Sequence, residues 1–368
     1  MPDRLQIKGY KSIRDLDLEL RPLNVLIGAN GSGKSNLLSF FKMMRELMER
    51  RLQVHVAREG GAETLLHFGS GVTEALEFRA YLGSNGYEVR LLPTASDNLY
   101  FGYEKCWFHG ISNIVPLGSA HSESELAEKM RRPGDLFLID QVIERAEVDQ
   151  VVNSIRSWNV YHFAGMGLQA KILKTNQISD SYFLRPDGSN LAAFLYRLRK
   201  THYSVYDRIV RTIRLVAPFF DDFVLEPVAQ NPDTLLLRWS ERASDTPQIA
   251  YTLSDGTLRF ICLATLLLQP ELPEVLLIDE PELGLHPYAV NLLASLLSSA
   301  ATMTQVIVAT HSVSLVNQLL PEEIVVVDRH EEHSVFERLE REKLAYWLEA
   351  YTMGDLWEKN IIGGHPQS

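Results

Sequence analysis

The sequence predicts an α/β fold, because strand-like apolar runs end in polar loops and are followed by helix-like segments. Three places support this prediction. The run 24–27 precedes a glycine-rich loop, the run 275–278 ends in the carboxylates Asp279 and Glu280, and the run 305–310 precedes a histidine. Continuous apolar runs are typical of parallel strands that are buried on both faces and carry ligand-binding loops at their carboxyl ends. The predicted architecture therefore has a mixed or parallel central sheet.

The glycine-rich loop at 28–35 reads GANGSGKS, which fits the spacing G-x-x-x-x-G-K-S. A predicted strand precedes it and a helical segment over 36–50 follows it, which is the setting that phosphate binding requires. Its glycines allow successive backbone N–H groups to surround phosphate oxygens, and the helix N-terminus adds a favourable dipole. We expect Lys34 to reach the β- and γ-phosphates of a nucleoside triphosphate and Ser35 to hold Mg²⁺. The candidate nucleotide-binding residues here are Gly28, Asn30, Gly31, Ser32, Gly33, Lys34, Ser35 and Asn36.

A pair of carboxylates, Asp279 and Glu280, ends a second predicted strand. Asp279 is suited to the shell of a Mg²⁺ ion, and Glu280 can orient and polarise an attacking water. Acidic residues also follow strands for purely structural reasons. The phosphate loop in the same chain favours the catalytic interpretation.

Two further segments are weak signals when each is taken alone. Residues 253–257 read LSDGT and precede an apolar helix. The Ser254 side chain and the backbone around Asp255 and Gly256 would then lie at a helix N-terminus, which is a favourable place for an anion. His311 follows the strand-like run near 305, although a single histidine in such a place is more often a core or loop residue.

The order of these segments resembles that of the ATP-binding-cassette ATPases of the SMC and RecF type. It is most similar to the stand-alone AAA-family ATPases akin to the nucleotide-binding half of the overcoming-lysogenization-defect proteins. The resemblance implies an ABC-ATPase head with an antiparallel β subdomain and a helical insertion. It also implies roles for particular residues: a signature at 253–257, a Walker B pair at Asp279 and Glu280, a switch histidine at His311, and a Lys-Ser pair near the nucleotide at Lys11 and Ser12. The glutamine loop is not placed, and Gln169 and Gln177 are candidates.

In ATPases of this type the signature caps the γ-phosphate that the partner subunit binds. The resemblance therefore implies a head-to-tail homodimer that encloses two ATP molecules with Mg²⁺ and hydrolyses them slowly. Relatives that carry a nuclease continue after the switch histidine with a long catalytic domain. Because few residues follow His311, we expect no such domain in this chain, and the absence of sustained heptads predicts no coiled-coil arm.

The segments group into four predicted parts. Residues 1–115 hold a hairpin, the phosphate loop and antiparallel strands, and residues 116–217 form a mainly helical insertion. Residues 218–328 hold the signature, the Walker B pair and the switch histidine. Residues 329–368 form a helical extension that ends in a loose tail.

Local patterns add finer expectations. Alternation of apolar and polar residues predicts a hairpin over 5–20. Helical periodicity is expected over 133–153, 189–214 and 341–360. The sequence Asn-Pro-Asp at 231–233 predicts a turn between two strands.

The net charge of −11 argues against a protein with positive potential over its whole surface. Residues 185–214 depart from this balance, because they contain seven basic and two acidic residues. Arg208, Arg211 and Arg214 would form a broad positive face on one helix and are the candidates for contact with DNA. A solvated helix face is the more common explanation of such a run.

The chain has no apolar window long enough to span a membrane and no signal segment at its N-terminus. We therefore expect a cytoplasmic protein without a membrane partner. The two cysteines, Cys106 and Cys262, lack metal-ligand spacing. We expect both to be buried apolar residues rather than reactive thiols.

These observations predict an ATPase that acts as an ATP-dependent dimeric switch. The resemblance implies a role in DNA repair, DNA maintenance or antiviral defence. The alternative is an ATP-gated sensor, a regulatory subunit that controls a protein effector without binding DNA. Stimulation of ATP turnover by DNA would favour the first hypothesis, and stimulation by a protein alone would favour the second. A transporter motor is disfavoured by the large helical insertion.

Overall fold

A computed structural model describes residues 1–108, 115–129, 136–138, 141–143, 145–163, 170–242 and 244–364. Gln169, one of the two glutamine-loop candidates, and the end of the predicted tail at 365–368 lie outside these ranges. The chain forms two compact units. The first consists of Met1–Asn159, Pro273–Leu277 and Leu320–Ser368, and the second consists of Val160–Leu272 and Ile278–Leu319. The four-part division expected from the sequence stays a prediction.

The strands are β1 (Arg4–Tyr10), β2 (Ile13–Glu19), β3 (Leu23–Ile27), β4 (Leu76–Leu82), β5 (Asn85–Pro93), β6 (Leu99–Trp107), β7 (Val115–Gly118), β8 (Leu136–Leu138), β9 (Gln141–Ile143), β10 (Asn159–Tyr161), β11 (Asn176–Gln177), β12 (Phe220–Val224), β13 (Pro227–Val228), β14 (Asn231–Leu235), β15 (Arg238–Glu241), β16 (Ser244–Ile249), β17 (Val275–Asp279), β18 (Gln305–Ala309), β19 (Ile324–His330) and β20 (His333–Arg338). The helices are α1 (Lys34–Met48), α2 (Leu52–Arg58), α3 (Ala62–Leu65), α4 (Glu125–Lys129), α5 (Arg145–Arg156), α6 (Leu191–Thr201), α7 (Tyr203–Val216), α8 (Asp255–Leu268), α9 (Pro287–Ala301), α10 (Val313–Val316), α11 (Arg341–Leu348) and α12 (Met353–Glu358). Short 3₁₀ turns occupy Lys171–Leu173, Ala250–Thr252 and Pro321–Glu323.

The first unit contains an antiparallel sheet with the strand order β2-β1-β4-β5-β6-β7. The alternating sequence of β1 produces one buried face, because Leu5 and Ile7 are buried while Lys8 is exposed. Ile7 lies opposite Phe78 of β4, so the buried faces of neighbouring strands are in register. The hairpin expected over 5–20 is confirmed by the pairing of β1 with β2.

A mixed sheet in the same unit carries the phosphate loop. All five residues of β3 are buried, and β3 pairs in parallel with β19, which pairs antiparallel with β20. The mixed α/β class is therefore confirmed. Aromatic rings hold α1 in place. Phe40 contacts Tyr10 and Phe78 at ring-centroid distances of 5.1 and 5.0 Å, and Phe41 contacts Trp158 at 5.1 Å. This packing stabilises the second turn of α1, which follows the phosphate loop.

The second unit is built around α8. Every residue of α8 from Leu258 to Leu268 is buried, as expected for a helix that is apolar on all sides. α7 and α9 pack on it. The strand β18 is also buried along its whole length. Two small antiparallel sheets, with the orders β12-β15-β16 and β11-β14-β13, complete this unit.

Three helix predictions need correction. The helix expected over 133–153 begins only at Arg145; part of that range lies outside the described residues, and β8 and β9 occupy part of the rest. The helix expected over 189–214 is two helices, because the backbone at His202 leaves helical geometry with φ −140 and ψ 58. The helix expected over 341–360 is likewise divided into α11 and α12. Amphipathic periodicity continues through such breaks, so it locates helical regions better than their ends.

The turn expected at 231–233 is wrong. Val228 of β13 pairs with Asn231 of β14, which closes a two-residue loop at 229–230. Asn231 and the proline after it therefore belong to a strand. The sequence therefore predicted a hairpin correctly, but its turn lies at 229–230, on the N-terminal side of the predicted position.

Gly28→Ala tests how tightly β3 and β19 fix the phosphate loop. Gly28 has φ +152, and a Cβ atom there would overlap the carbonyl oxygen of Val327 in β19. Because β19 is paired on both sides, we expect the free energy of unfolding to fall by about 1–3 kcal/mol. Gly71→Ala is the control, since a Cβ at Gly71 meets no atom within 4 Å, and its effect should stay within about 0.5 kcal/mol. Equal urea midpoints for the two variants would contradict this account.

Candidate functional site

The phosphate loop of the first unit connects β3 to α1. Gly33 is the N-cap residue of α1, and no side chain caps this helix. Within the part of the chain that the structure describes, the backbone N–H groups of Gly31 and Gly33 donate to no acceptor. Free N–H groups at the start of a 15-residue helix form a site for an anion, because the helix dipole adds to their own positive charge.

The loop residues have the exposure that phosphate binding requires. Asn30 and Gly31 lie at an exposed tip, and a Cβ at Gly31 would meet open space. Lys34 is buried, and its Nζ donates to the carbonyl oxygens of Gly28 and Ala29 at 2.7 and 3.0 Å. These bonds hold the ammonium group against the loop. The loop therefore has room and positive charge for phosphate oxygens.

Ser32 and Ser35 differ in their surroundings. Ser32 is buried, and its hydroxyl makes no hydrogen bond with the described residues. Ser35 lies in the first turn of α1 with an exposed side chain. A hydroxyl in that position can serve as a ligand of Mg²⁺, so the residues present fit the ion that the loop motif implies.

A chain of hydrogen bonds ties the phosphate loop to two distant segments. Asn36 Nδ2 donates to Ser12 Oγ at 2.7 Å, and Ser12 Oγ lies 2.6 Å from Ser334 Oγ. The Ser334 hydroxyl donates to the carbonyl oxygen of Ser32. A Cβ on Gly33 would overlap this hydroxyl. Sequence reasoning identified Ser12 and missed Ser334, which lies in β20 and belongs to no motif.

Lys11 stands beside this network with a left-handed backbone, φ +46. Its Nζ donates to Glu59 Oε2 at 3.0 Å. An open cavity of about 490 Å³ is lined by Lys11, Ser12, Asn36, Phe68 and Arg329, among other residues. The structure thus brings three of the predicted nucleotide-binding residues to one cavity.

The carboxylate pair lies in the second unit, at the end of β17. Glu280 has a left-handed backbone, φ +46, and its N–H donates to the carbonyl oxygen of Ala309 at 2.9 Å. Such strain is common at functional sites, where the surrounding structure holds it. Asp279 Oδ2 lies 3.7 Å from His162 Nδ1. His162 was not predicted, since its sequence position gives no sign that β17 lies beside it.

The switch-histidine segment is connected to the carboxylate loop. The N–H of His311 donates to Glu282 Oε1 at 2.9 Å. Ser312 caps α10 by accepting from the N–H of Leu315. Glu282, two positions after Glu280, therefore links the loop after β17 to the segment that holds His311.

The signature segment begins α8. Ser254 is its N-cap residue, and its Oγ accepts from the N–H of Thr257 at 3.1 Å. Ser254 and Asp255 are exposed. A Cβ on Gly256 would overlap the carbonyl oxygen of Gly284, so the two backbones touch. The signature is therefore packed on the loop that follows the carboxylate pair, with its first residues facing outward.

Arg259, one turn into α8, supports this packing. It is buried, and its Nε donates to the carbonyl oxygen of Phe163 at 2.9 Å. Burial lowers the pKa of Arg259, whereas Asp255 and the acidic residues after β17 oppose the shift. The sequence placed this residue in an apolar helix and gave it no role.

The three arginines expected to contact DNA are engaged within the protein. Arg211 pairs with Asp207 at 2.7 Å, and Arg214 pairs with Asp221 at 3.0 Å. Arg208 donates to the carbonyl oxygen of Leu268 at 3.2 Å. Two of the three charges are therefore balanced by aspartates, which weakens the positive face expected from their spacing.

The remaining sequence expectations concern membranes and cysteines. None of the helices in the described ranges is long and apolar enough to cross a membrane. Cys106 and Cys262 are free and buried. Burial raises the pKa of both thiols, so they are protonated at neutral pH.

Two family models match the chain. Residues 1–61 match "AAA ATPase domain", and residues 146–317 match "AAA domain, putative AbiEii toxin, Type IV TA system". A curated relative from Methanosarcina acetivorans, named "Putative ABC transporter ATP-binding protein", is 40% identical over 81 residues. That alignment spans 22% of this chain and 29% of the relative's length.

Solved structures of SMC heads share the fold. A head bound to the C-winged helix domain of ScpA is matched over 94% of this chain and 99% of that chain, with 16% identity and a TM-score of 0.61. A head with an extended coiled coil, bound to the C-terminal domain of ScpA from Pyrococcus furiosus, is matched over 95% and 99%, with 15% identity and a TM-score of 0.54. Two parts of the chain therefore match AAA ATPase-domain models, and the chain has the fold of an SMC head.

Proposed function

We propose that this chain binds ATP with Mg²⁺, hydrolyses it slowly, and dimerises when ATP is bound. The observation that carries the proposal is the uncapped start of α1, where the free N–H groups of Gly31 and Gly33 lie beside the buried ammonium of Lys34. These groups suit a triphosphate, whose charge they would balance. Ser35 and Asp279 would hold Mg²⁺, which neutralises charge on the phosphates when it is bound.

Hydrolysis is assigned to residues after the strands β17 and β18. Glu280 would accept a proton from the attacking water and orient it toward the γ-phosphate. The left-handed backbone of Glu280, whose N–H donates to Ala309, supports this role because such strain is common at functional sites. His311 would donate a hydrogen bond to the γ-phosphate or the water.

Dimerisation is assigned to the signature. Ser254, Asp255 and Gly256 form an outward-facing helix N-terminus that can cap the γ-phosphate of a second copy. Two large side chains near this segment are exposed. Tyr251 shortly precedes it in sequence and is 55% exposed, and Leu283, next to the Gly284 that Gly256 contacts, is 50% exposed. Exposed apolar groups beside a polar anion site support an interface that closes on a nucleotide.

The biological setting that we propose is DNA maintenance or antiviral defence. It is supported by the SMC-head fold and by the AAA family match over 146–317, which includes the signature, the carboxylate pair and the switch histidine. Measuring ATP turnover with and without DNA tests this setting. Stimulation by a protein alone would favour the sensor hypothesis instead.

Glu280→Gln tests the catalytic assignment. The amide keeps the shape of the side chain and cannot accept the proton, so we expect kcat to fall by about 10²–10⁴-fold while ATP still binds. Lys34→Ala is the contrasting variant: loss of the ammonium should weaken ATP binding by about a hundredfold. Wild-type turnover by Glu280→Gln would remove this residue from the mechanism, and wild-type ATP affinity of folded Lys34→Ala would remove the phosphate-binding role.

Ser254→Arg tests the assignment of the signature to a second copy. A long cation at the exposed start of α8 should block ATP-dependent dimerisation by steric and charge conflict and leave ATP affinity within about twofold of wild type. Light scattering compares two proteins that both carry Glu280→Gln, one with Ser254 and one with Ser254→Arg. The Glu280→Gln change slows hydrolysis, so that an ATP-bound dimer can be measured. A dimer that persists in the Ser254→Arg protein would contradict the shared site.

Ser334→Ala tests the hydrogen bonds that support the phosphate loop. Loss of the hydroxyl leaves the Ser32 carbonyl without this donor, and we expect ATP to bind about three- to tenfold more weakly. Thr352→Ala, which removes the side-chain cap of α12, is a control for general destabilisation. If both variants lose ATP affinity in proportion to stability, Ser334 has no specific effect on the loop.

A further inference from the structure

A group of aromatic and basic side chains, four exposed and two half-buried, lies at α6 and its two flanking segments. We name it the aromatic–basic surface and define it by Tyr182, Phe183, Tyr196, Arg197, Lys200 and Tyr203. The side chains of Tyr182, Phe183 and Tyr203 are 68%, 80% and 65% exposed. Large aromatic groups this exposed and this close in sequence are unusual on a soluble domain, because burying them would be favourable.

Two rings of this surface make cation–π contacts with neighbouring basic side chains. The Arg197 guanidinium lies 4.4 Å from the ring centroid of Tyr182, and its Nη1 donates to the Tyr182 carbonyl oxygen at 3.1 Å. The Lys200 ammonium lies 4.1 Å from the ring centroid of Tyr196 and donates to its hydroxyl. These contacts hold the rings in defined positions while the cations keep their charge.

The charge of this region is not balanced. Residues 171–214 contain nine basic and three acidic residues. The three acidic residues are already paired, with Lys171, Arg185 and Arg211. Among the described residues, no carboxylate lies within 4.0 Å of a cationic nitrogen of Arg197 or Lys200. The surface therefore carries net positive charge on a chain whose total charge is −11.

We propose that the aromatic–basic surface binds single-stranded nucleic acid. Exposed rings provide platforms for unstacked bases, and the unpaired cations beside them can hold the phosphates that join those bases. A duplex keeps its bases stacked on one another, so it would use the cations alone. The proposal rests on α6 and its flanking segments and not on Arg208, Arg211 and Arg214 of α7. It goes beyond the proposed ATPase activity, because no residue of the phosphate loop, carboxylate pair or signature takes part.

Fluorescence anisotropy of labelled oligothymidylate and oligouridylate tests the proposal on the full chain, first without nucleotide and then with ATP. We expect binding of at least one of them that weakens as salt rises, and weaker binding of a duplex of equal length. In the double variant Tyr182→Ala and Phe183→Ala, affinity should fall by at least about tenfold, since each stacked base contributes about 1–3 kcal/mol. Tyr346→Ala in α11, which removes a ring that is 78% exposed, is the matched control and should bind like wild type.

Two further variants separate stacking from charge. Tyr182→Trp keeps a stacking ring and should retain affinity within about twofold. Lys200→Gln removes one cation. We expect the slope of log affinity against log salt concentration to become less steep by about 0.7, the value for one lost phosphate contact. All variants are compared by thermal unfolding, and because the altered side chains are exposed, their midpoints should match wild type.

Three results would overturn the proposal. The first is no binding of either oligonucleotide in any nucleotide state. The second is unchanged affinity of the folded double variant. The third is that polyglutamate binds as strongly as the oligonucleotides and that the aromatic variants change neither affinity. The surface would then be a site for an acidic protein. The ATPase assignments are tested separately by Glu280→Gln, so a failure here leaves them in place.

Discussion

The phosphate loop depends on close contact between its backbone and the neighbouring β19–β20 hairpin. The Val327 carbonyl oxygen and the Ser334 hydroxyl occupy the space that a Cβ at Gly28 or Gly33 would need. The first and third glycines of the motif therefore serve packing as well as backbone freedom. Because the hairpin lies some three hundred positions downstream, the shape of the anion site depends on the correct pairing of β3 with β19.

A second close contact organises the other group of candidate residues. Gly256 contacts Gly284, and the Glu282 carboxylate accepts a hydrogen bond from the backbone N–H of His311. The signature, the carboxylate loop and the switch-histidine segment are thus joined by direct contacts within one unit. Glu280 lies in the same loop, and its left-handed backbone donates its N–H to the carbonyl oxygen of Ala309.

The charge that each surface helix presents depends on the local partners of its side chains and not on the net charge of the chain. Two arginines of α7, Arg211 and Arg214, are paired with aspartates, whereas the α6 cations Arg197 and Lys200 lie against aromatic rings. A ring attracts a cation without neutralising it, so the two helices differ in the charge that they offer to an anionic partner. This difference is the basis on which we propose a nucleic-acid surface at α6 in a chain whose total charge is negative.

The sequence determined the elements whose signals are local. The apolar runs of β3, β17 and β18, the phosphate loop and the start of α8 follow from residue type and spacing alone, because a buried strand or a helix N-terminus has its own pattern. The class of the fold and the identity of the candidate loops could therefore be predicted. Helix ends at His202 and near Arg145 could not, because periodicity continues across a break.

Only the tertiary structure decided which distant side chains meet. Ser334 joins Ser12 and the phosphate loop, and Arg259 joins α8 to Phe163, through contacts between residues far apart in the chain. No sequence spacing encodes such pairs, since they arise from strand pairing and helix packing. The same reason applies to charge. The sequence contains the arginines of 185–214, and the fold pairs Arg211 and Arg214 with aspartates, whereas Arg197 and Lys200 meet no carboxylate among the described residues.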